Sequence, residues 1–155
     1  MIEVRVVKLG ICVISKMPVI ILKEKEGQKT LPILIGLFEA QAIALEKVKP
    51  PRPLTHDLVQ LLIEKLDGKL DRVVISDVIN NTFYARLFIQ RNGENVEVDS
   101  RPSDAIALTL RFKAPIFVDE TIWKKLTLGS KPISDEEIKD FKKKLKDLRP
   151  KDLTD

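Results

Sequence analysis

The chain predicts a two-layer α+β domain with a largely antiparallel sheet. Three observations carry that prediction. First, a motif recurs: Gln41-Ala42-Ile43-Ala44-Leu45 returns as Asp104-Ala105-Ile106-Ala107-Leu108, 63 positions later. Val13-Ile14-Ser15-Lys16 has its counterpart in Val74-Ile75-Ser76-Asp77, and Pro51 precedes Thr55-His56-Asp57-Leu58 as Pro115 precedes Asp119-Glu120-Thr121-Ile122. Second, each half opens on β-branched runs and then turns to helical spacing. Third, two copies are too few for a solenoid, so the repeat reads as an internal duplication within one pseudo-symmetric domain. The unit is β-β-β-α-α, with halves of approximately residues 1–68 and 69–130. Residues 131–155 read as a C-terminal amphipathic helix and tail.

In order, residues 2–15 are Val- and Ile-rich and predict a long first strand, ended or bent by Pro18. Val19 to Glu24 and Leu31 to Ile35 predict two more strands, joined through Glu26-Gly27-Gln28. Gly36 breaks the run, and Phe38 to Lys47 has helical character, with Ala40, Ile43, Ala44 and Lys47 at helical spacing. Pro50-Pro51-Arg52-Pro53 is a stiff connector. Thr55 reads as the N-cap of a second helix, with His56 and Asp57 in its first turn. Leu58, Leu61, Leu62 and Leu66 form its apolar stripe, and Asp67-Gly68 ends it.

The second half repeats the plan. Leu70 to Val78, Thr82 to Arg91 and Asn95 to Asp99 predict strands, separated by Asn80-Asn81 and Asn92-Gly93. Pro102 suits the first turn of a helix that runs to about Phe112. Pro115 to Val118 is short and extended, and Asp119 caps a helix carrying Ile122, Trp123 and Leu126. In the tail, Ser134-Asp135-Glu136-Glu137 is a capping-box pattern, and Ile138, Phe141, Leu145 and Leu148 mark one face of a helix with no counterpart in the first half.

Hydrophobic residues make up 44% of the chain and charged residues 32%, enough for a core under a charge-rich surface. The Lys- and Glu-rich balance suits a thermophile. The net charge of +4 is compatible with nucleic acid, but charges of both signs alternate along the chain. Cys12 is the sole cysteine and reads as a small buried hydrophobe. It permits no internal disulfide, and no signal peptide or membrane span is evident, so a cytoplasmic setting without membrane contact is expected.

Phosphate-loop, dinucleotide, zinc-finger and GxSxG patterns are absent. A Cys–His nucleophilic pair would need Cys12 and His56, and Cys12 reads as core. Polar candidates gather instead at equivalent strand-to-helix junctions: Glu39 in the first half; Asp99, Arg101, Ser103 and Asp104 in the second. His56 and Asp57 begin the next helix, after Arg52, and Asp77 sits near a strand end. Helix N-termini favour phosphate, and carboxylates beside them can hold Mg²⁺ or Mn²⁺. Each group also has a plain structural role: Glu39, Asp57 and Asp104 complement helix dipoles, and Arg101 pairs locally. His56 is the only imidazole, available for proton transfer near neutral pH. Trp123, Tyr84 and the phenylalanines read as core rather than as base-stacking surfaces.

Three ordered motifs resemble those of the bifunctional nuclease (BFN) domain family. They are Leu31-Pro32-Ile33-Leu34-Ile35-Gly36 with Glu39-Ala40-Gln41-Ala42-Ile43-Ala44; Arg52-Pro53-Leu54-Thr55-His56-Asp57-Leu58; and Ser100-Arg101-Pro102-Ser103-Asp104-Ala105-Ile106-Ala107-Leu108, followed by Ala114-Pro115-Ile116-Phe117-Val118. The resemblance runs from the first strand to about residue 125 and looks like a short prokaryotic member of thermophilic type. It implies nuclease activity on RNA and DNA, associated chiefly with plant members, without an agreed catalytic mechanism. Some relatives carry an additional UVR-like C-terminal segment; here only the charged stretch from Ser134 stands in its place.

The leading expectation is metal-assisted phosphodiester hydrolysis of RNA or DNA. Glu39, Asp99 and Asp104 would bind Mg²⁺ or Mn²⁺ or activate water, Arg52, Arg101 and Ser103 would hold phosphate, and His56 would be general acid or base. No organic cofactor is expected. The competing expectations are a non-catalytic regulatory module and a nucleic-acid binder that does not cleave. A homo-oligomer, a dimer above all, suits each of them.

Overall fold

The computed structural model describes residues 1–128. Its element order is β1 (Ile2–Ile11), β2 (Pro18–Glu24), β3 (Thr30–Leu34), α1 (Leu37–Ala44), α2 (Thr55–Lys65), β4 (Gly68–Ile79), β5 (Thr82–Arg91), β6 (Glu94–Ser100), α3 (Pro102–Phe112), β7 (Ile116–Val118) and α4 (Glu120–Leu128). The expected helix from Ser134 lies outside the described residues.

The strands form one seven-stranded sheet in the order β3-β2-β1-β7-β4-β5-β6. The expected α+β class and largely antiparallel sheet are present: every pairing is antiparallel except β4 with β7. Each half supplies a three-stranded meander whose first strand is central and whose last is outermost. The halves are not equivalent. The Pro115–Val118 stretch places β7 between the two meanders, hydrogen-bonded to β1 on one side and β4 on the other. The corresponding first-half stretch is the connector Pro50-Pro51-Arg52-Pro53, whose three prolines lack the N–H a central strand must donate.

Local chemistry moves several boundaries. β1 is shorter than the expected 2–15 run. Cys12 N–H donates to Met17 O at 2.7 Å, and Lys16 N–H donates to Cys12 O at 2.7 Å. This turn, with Lys16 at φ 55°, reverses the chain before Pro18. Pro18 therefore opens β2, a position where its missing N–H is tolerated. α1 ends at Ala44 rather than Lys47. The turn residues behave as expected: Asn80 and Asn81 adopt φ 50° and 63°, and Asn92 and Gly93 adopt 50° and 79°, the paired left-handed geometry of tight hairpins.

The core joins Ile20 and Leu22 of β2, Val73 and Ile75 of β4 and Ala85 of β5 to Ala105, Ile106 and Leu108 of α3. Alanines let α3 approach the sheet closely, and α3 is buried along most of its length. Cys12 is buried as expected, at 4% exposure. Trp123 packs against the core.

α2 departs from expectation. It contains no fully buried residue. Its inward side carries His56, Asp57, Val59, Gln60 and Ile63, all of intermediate burial. The stripe of Leu58, Leu61, Leu62 and Leu66 faces outward, at 48%, 40%, 52% and 59% exposure. Periodicity located the stripe correctly; the polar ends of α3 set which side turns inward.

Candidate functional site

The site is built where the first turns of α1, α2 and α3 meet. α1 starts after Gly36, whose extended backbone (φ −74°, ψ 162°) forms its N-cap. A Cβ at Gly36 would collide with the Glu39 carboxylate, so the glycine lets Glu39 fold back over the helix start. α2 starts one residue earlier than the sequence implied. Leu54, not Thr55, is the N-cap, and its N–H donates to Asp57 Oδ2 at 3.0 Å. Asp57 sits at the third helical position and so performs half of a capping box. α3 starts with Arg101 as N-cap and Pro102 in its first turn.

Arg101 connects two of these helices. Its Nη1 donates to Glu39 Oε1 at 2.7 Å, its Nε to Asp104 Oδ2 at 2.8 Å, and its Nη2 to Asp104 Oδ1 at 3.2 Å. The third helix joins through His56, whose Nε2 lies 2.9 Å from Asp104 Oδ1. With Asp104 ionised, that nitrogen is the donor, and in the neutral ring Nδ1 is then the acceptor. The result is a continuous chain, Glu39–Arg101–Asp104–His56.

A second guanidinium supports the first cluster from behind. Arg111, in the last turn of α3, has only 3% of its side chain exposed. Its Nε donates to Asp57 Oδ1 at 2.8 Å, and its Nη1 donates to the carbonyls of Ala42 and Ala107, both at 3.0 Å. Gln60 Nε2 in turn donates to Arg111 O at 3.4 Å.

The charges shift one another. Burial alone would raise Asp104, but the hydrogen bonds from Arg101 and His56 outweigh it, and its carboxyl titrates below 3.8. Asp57 follows the same pattern: burial raises it, and Arg111 together with the Leu54 N–H brings it below 3.8. Arg101 is held more firmly protonated by its hydrogen bonds to Asp104 and Glu39.

Two open clefts flank Arg101. One, of about 310 Å³, is lined by Phe38, Glu39, Leu54, His56, Arg101 and Arg111, among others. The other, of about 440 Å³, lies between the β3–α1 junction and the β4–β5 turn, with Asn81, Phe83, Arg101 and Ser103 in its wall.

Of the residues singled out in the sequence, Glu39, His56, Arg101 and Asp104 converge. Ser103 is buried at 6% exposure and meets the second cleft. Asp99 is not with them. It is exposed on β6, in register with Arg86, whose guanidinium donates to Glu97. Arg52 is exposed on the connector and lines neither cleft. Asp77 pairs with Lys125 of α4. Glu39 and Asp104 offer hard oxygens of the kind Mg²⁺ prefers, but both are engaged by Arg101. Among the described residues, no three His, Cys, Asp or Glu side chains are grouped to hold a metal ion.

Two participants escaped the sequence reading. Arg111 had a usable signal, a lone charge ending the apolar run Ala105 to Leu110. Phe38 was read as core, yet it is 80% exposed at the mouth of the first cleft.

The two lowered carboxyls fix the sign of an acid effect. A carboxyl depressed on folding adds stability above its unfolded value, and loses it as pH falls through the folded one. Asp57→Asn and Asp104→Asn should each flatten the fall in stability below about pH 4, measured by urea unfolding across pH. A parent-like acid slope in both variants would refute the ion-pair account.

Among the described residues, no helix is long and apolar enough to cross a membrane. The chain is 40% identical over 162 residues to an uncharacterized protein of Mycobacterium tuberculosis, covering 97% of each chain. It is 32% identical over 111 residues to bifunctional nuclease 1 of Oryza sativa subsp. japonica, covering 66% of this chain and 33% of that protein. It is 30% identical over 109 residues to bifunctional nuclease 1 of Arabidopsis thaliana, covering 66% of this chain and 34% of that protein. The chain thus spans about a third of the plant proteins it matches. The family model for the bifunctional nuclease domain matches residues 20–130, a span that contains every member of the Glu39–Arg101–Asp104–His56 chain, and the protein belongs to the bifunctional nuclease domain family.

Proposed function

We propose that the Glu39–Arg101–Asp104–His56 cluster hydrolyses phosphodiester bonds of RNA or DNA. The observation that supports this most is the state of Arg101. Three of its N–H groups are engaged, and a guanidinium has five. Its side chain is nevertheless 63% exposed, so two donors remain to meet a phosphate. The plant relatives' name, bifunctional nuclease, supports the same reading.

In this reading Arg101 orients the phosphate and stabilises charge developing on its oxygens. Asp104 fixes the tautomer and direction of His56. His56 accepts a proton from the attacking water, or supplies one to the leaving oxygen, through Nδ1. Glu39 holds Arg101 in place from α1. Ser103 contributes to the wall of the second cleft, Arg52 contacts a neighbouring phosphate, and Asp99 stands apart from the reacting group. Mg²⁺ or Mn²⁺ assistance remains part of the proposal, with Glu39 and Asp104 as its oxygen donors in competition with Arg101.

Purified protein should cleave labelled single-stranded RNA or DNA, and His56→Ala should lower the rate by about 10²-fold or more. Asp104→Asn should also lower it. Unchanged cleavage in both variants would remove these assignments. Loss of activity in EDTA, restored by Mn²⁺, would support the metal.

A second reading, a non-catalytic homo-oligomeric module, is favoured by the outward leucines of α2. Contiguous apolar surface of this kind is typical of interfaces. The occupant is a second copy of the chain, since Leu54, Leu58, Leu62 and Leu66 recur every four residues and can form one ridge for a two-fold pair. Leu58→Gln with Leu62→Gln should then halve the mass seen by light scattering. A monomeric parent would eliminate the dimer.

A cytoplasmic setting rests on the single cysteine, and thermophily on the Lys- and Glu-rich composition. A thermal midpoint in the mesophile range of about 45–65 °C would remove the second.

A further inference from the structure

We infer that Phe38 is a base-stacking platform, so that the site accepts an unpaired strand with one nucleotide on each side of the phosphate held by Arg101. This deepens the nuclease reading and rests on it. Three observations combine. Phe38, in the first turn of α1, is 80% exposed. It lines the same cleft as Arg101 and His56. Arg101 also lines the second cleft, so one guanidinium stands between two recesses of about 310 and 440 Å³.

The chemistry follows from that placement. A phosphate on the spare Arg101 donors joins two nucleosides, and each has a recess beside it. The first recess is lined by the exposed Phe38 ring and by Leu54, the apolar surface a base needs. The sequence neighbour of Phe38 is Glu39, which is tied to Arg101, so the turn of α1 that carries the ring is anchored to the phosphate holder. Stacking on an aromatic side chain tolerates any base, because every base has a π-face. It requires a base whose face is uncovered, and duplex stacking covers it. The platform therefore selects strandedness rather than sequence.

The test uses full-length protein carrying His56→Ala to block turnover, and fluorescence anisotropy with a labelled single-stranded oligonucleotide, its duplex, and the same strand with abasic sites. Phe38→Ala should weaken single-strand binding about 5- to 150-fold and leave the weaker duplex binding unchanged. Phe38→Trp should retain binding, and its added indole fluorescence should be quenched by the strand with bases but not by the abasic one. In protein with His56 intact, Phe38→Ala should raise KM and leave kcat near the parent value.

Equal binding by Phe38→Ala and its parent overturns the platform while leaving a cleaving parent's nuclease reading intact. So does a change in oligomeric mass without a change in binding. A parent that neither binds nor cleaves either strand removes the nuclease reading and this inference with it. Salt-dependent binding without base quenching identifies a backbone contact only, and also overturns the platform.

Discussion

The helical layer depends on two guanidinium groups set at opposite ends of α3. Arg101 is its N-cap and Arg111 lies in its last turn, ten residues on and about 15 Å along the axis. Each reaches out of α3 to a neighbouring helix: α1, which also buries Ala40 and Ile43 in the core, and α2, which buries no residue fully. Arg101 takes Glu39 of α1, and Arg111 takes Asp57 of α2 and the Ala42 carbonyl of α1. α2 is the clearest case. With no fully buried residue, it is positioned by His56–Asp104, Asp57–Arg111 and the Gln60 contact, together with the partial burial of Val59 and Ile63. Arg111 is nearly dry while Asp57 keeps 22% of its side chain exposed, so losing Asp57 would strand a buried guanidinium, at a cost below that of a fully buried pair. The Arg101 pairs are wetter and worth less to stability. The inner guanidinium serves the scaffold, and the outer one is the group left able to meet a ligand.

That division explains why much of the site was legible. The repeat set Glu39 and Asp104 at equivalent junctions, and the helix signals put His56 at a third helix start. What the sequence could not convey was distance. Arg101 supplies it, because a single fork can reach two carboxylates only if α1 and α3 begin side by side. Asp99 shows the limit of proximity in sequence. It lies five residues before Asp104, but strand geometry pairs it with Arg86 across the sheet. The α2 leucines show another limit, since a helical period locates a stripe and is silent on whether the core or a partner covers it. Strand and hairpin content was readable because Asn80-Asn81 and Asn92-Gly93 are the residues that left-handed turns require. The end of β1 was not, because its turn uses Lys16, which carries no such signal.

Charge balance in the cluster bears on how a phosphate would be accommodated. Asp57 is neutralised by Arg111, so the open part of the site is Glu39, Asp104, Arg101 and His56. With the imidazole neutral, two carboxylates face one guanidinium, and the balance is negative. A phosphate brought against it would meet repulsion that one Arg only partly offsets. Two changes would lift the negative balance. Protonation of His56 would make the cluster neutral, and a divalent cation, if held by Glu39 and Asp104, would supply positive charge there. A third contribution avoids charge altogether: stacking on Phe38 would hold the nucleotide through its base while Arg101 orients the phosphate. Under the proposed function, a negative balance with the imidazole neutral would favour a substrate recognised through its base as well as its backbone over phosphate alone.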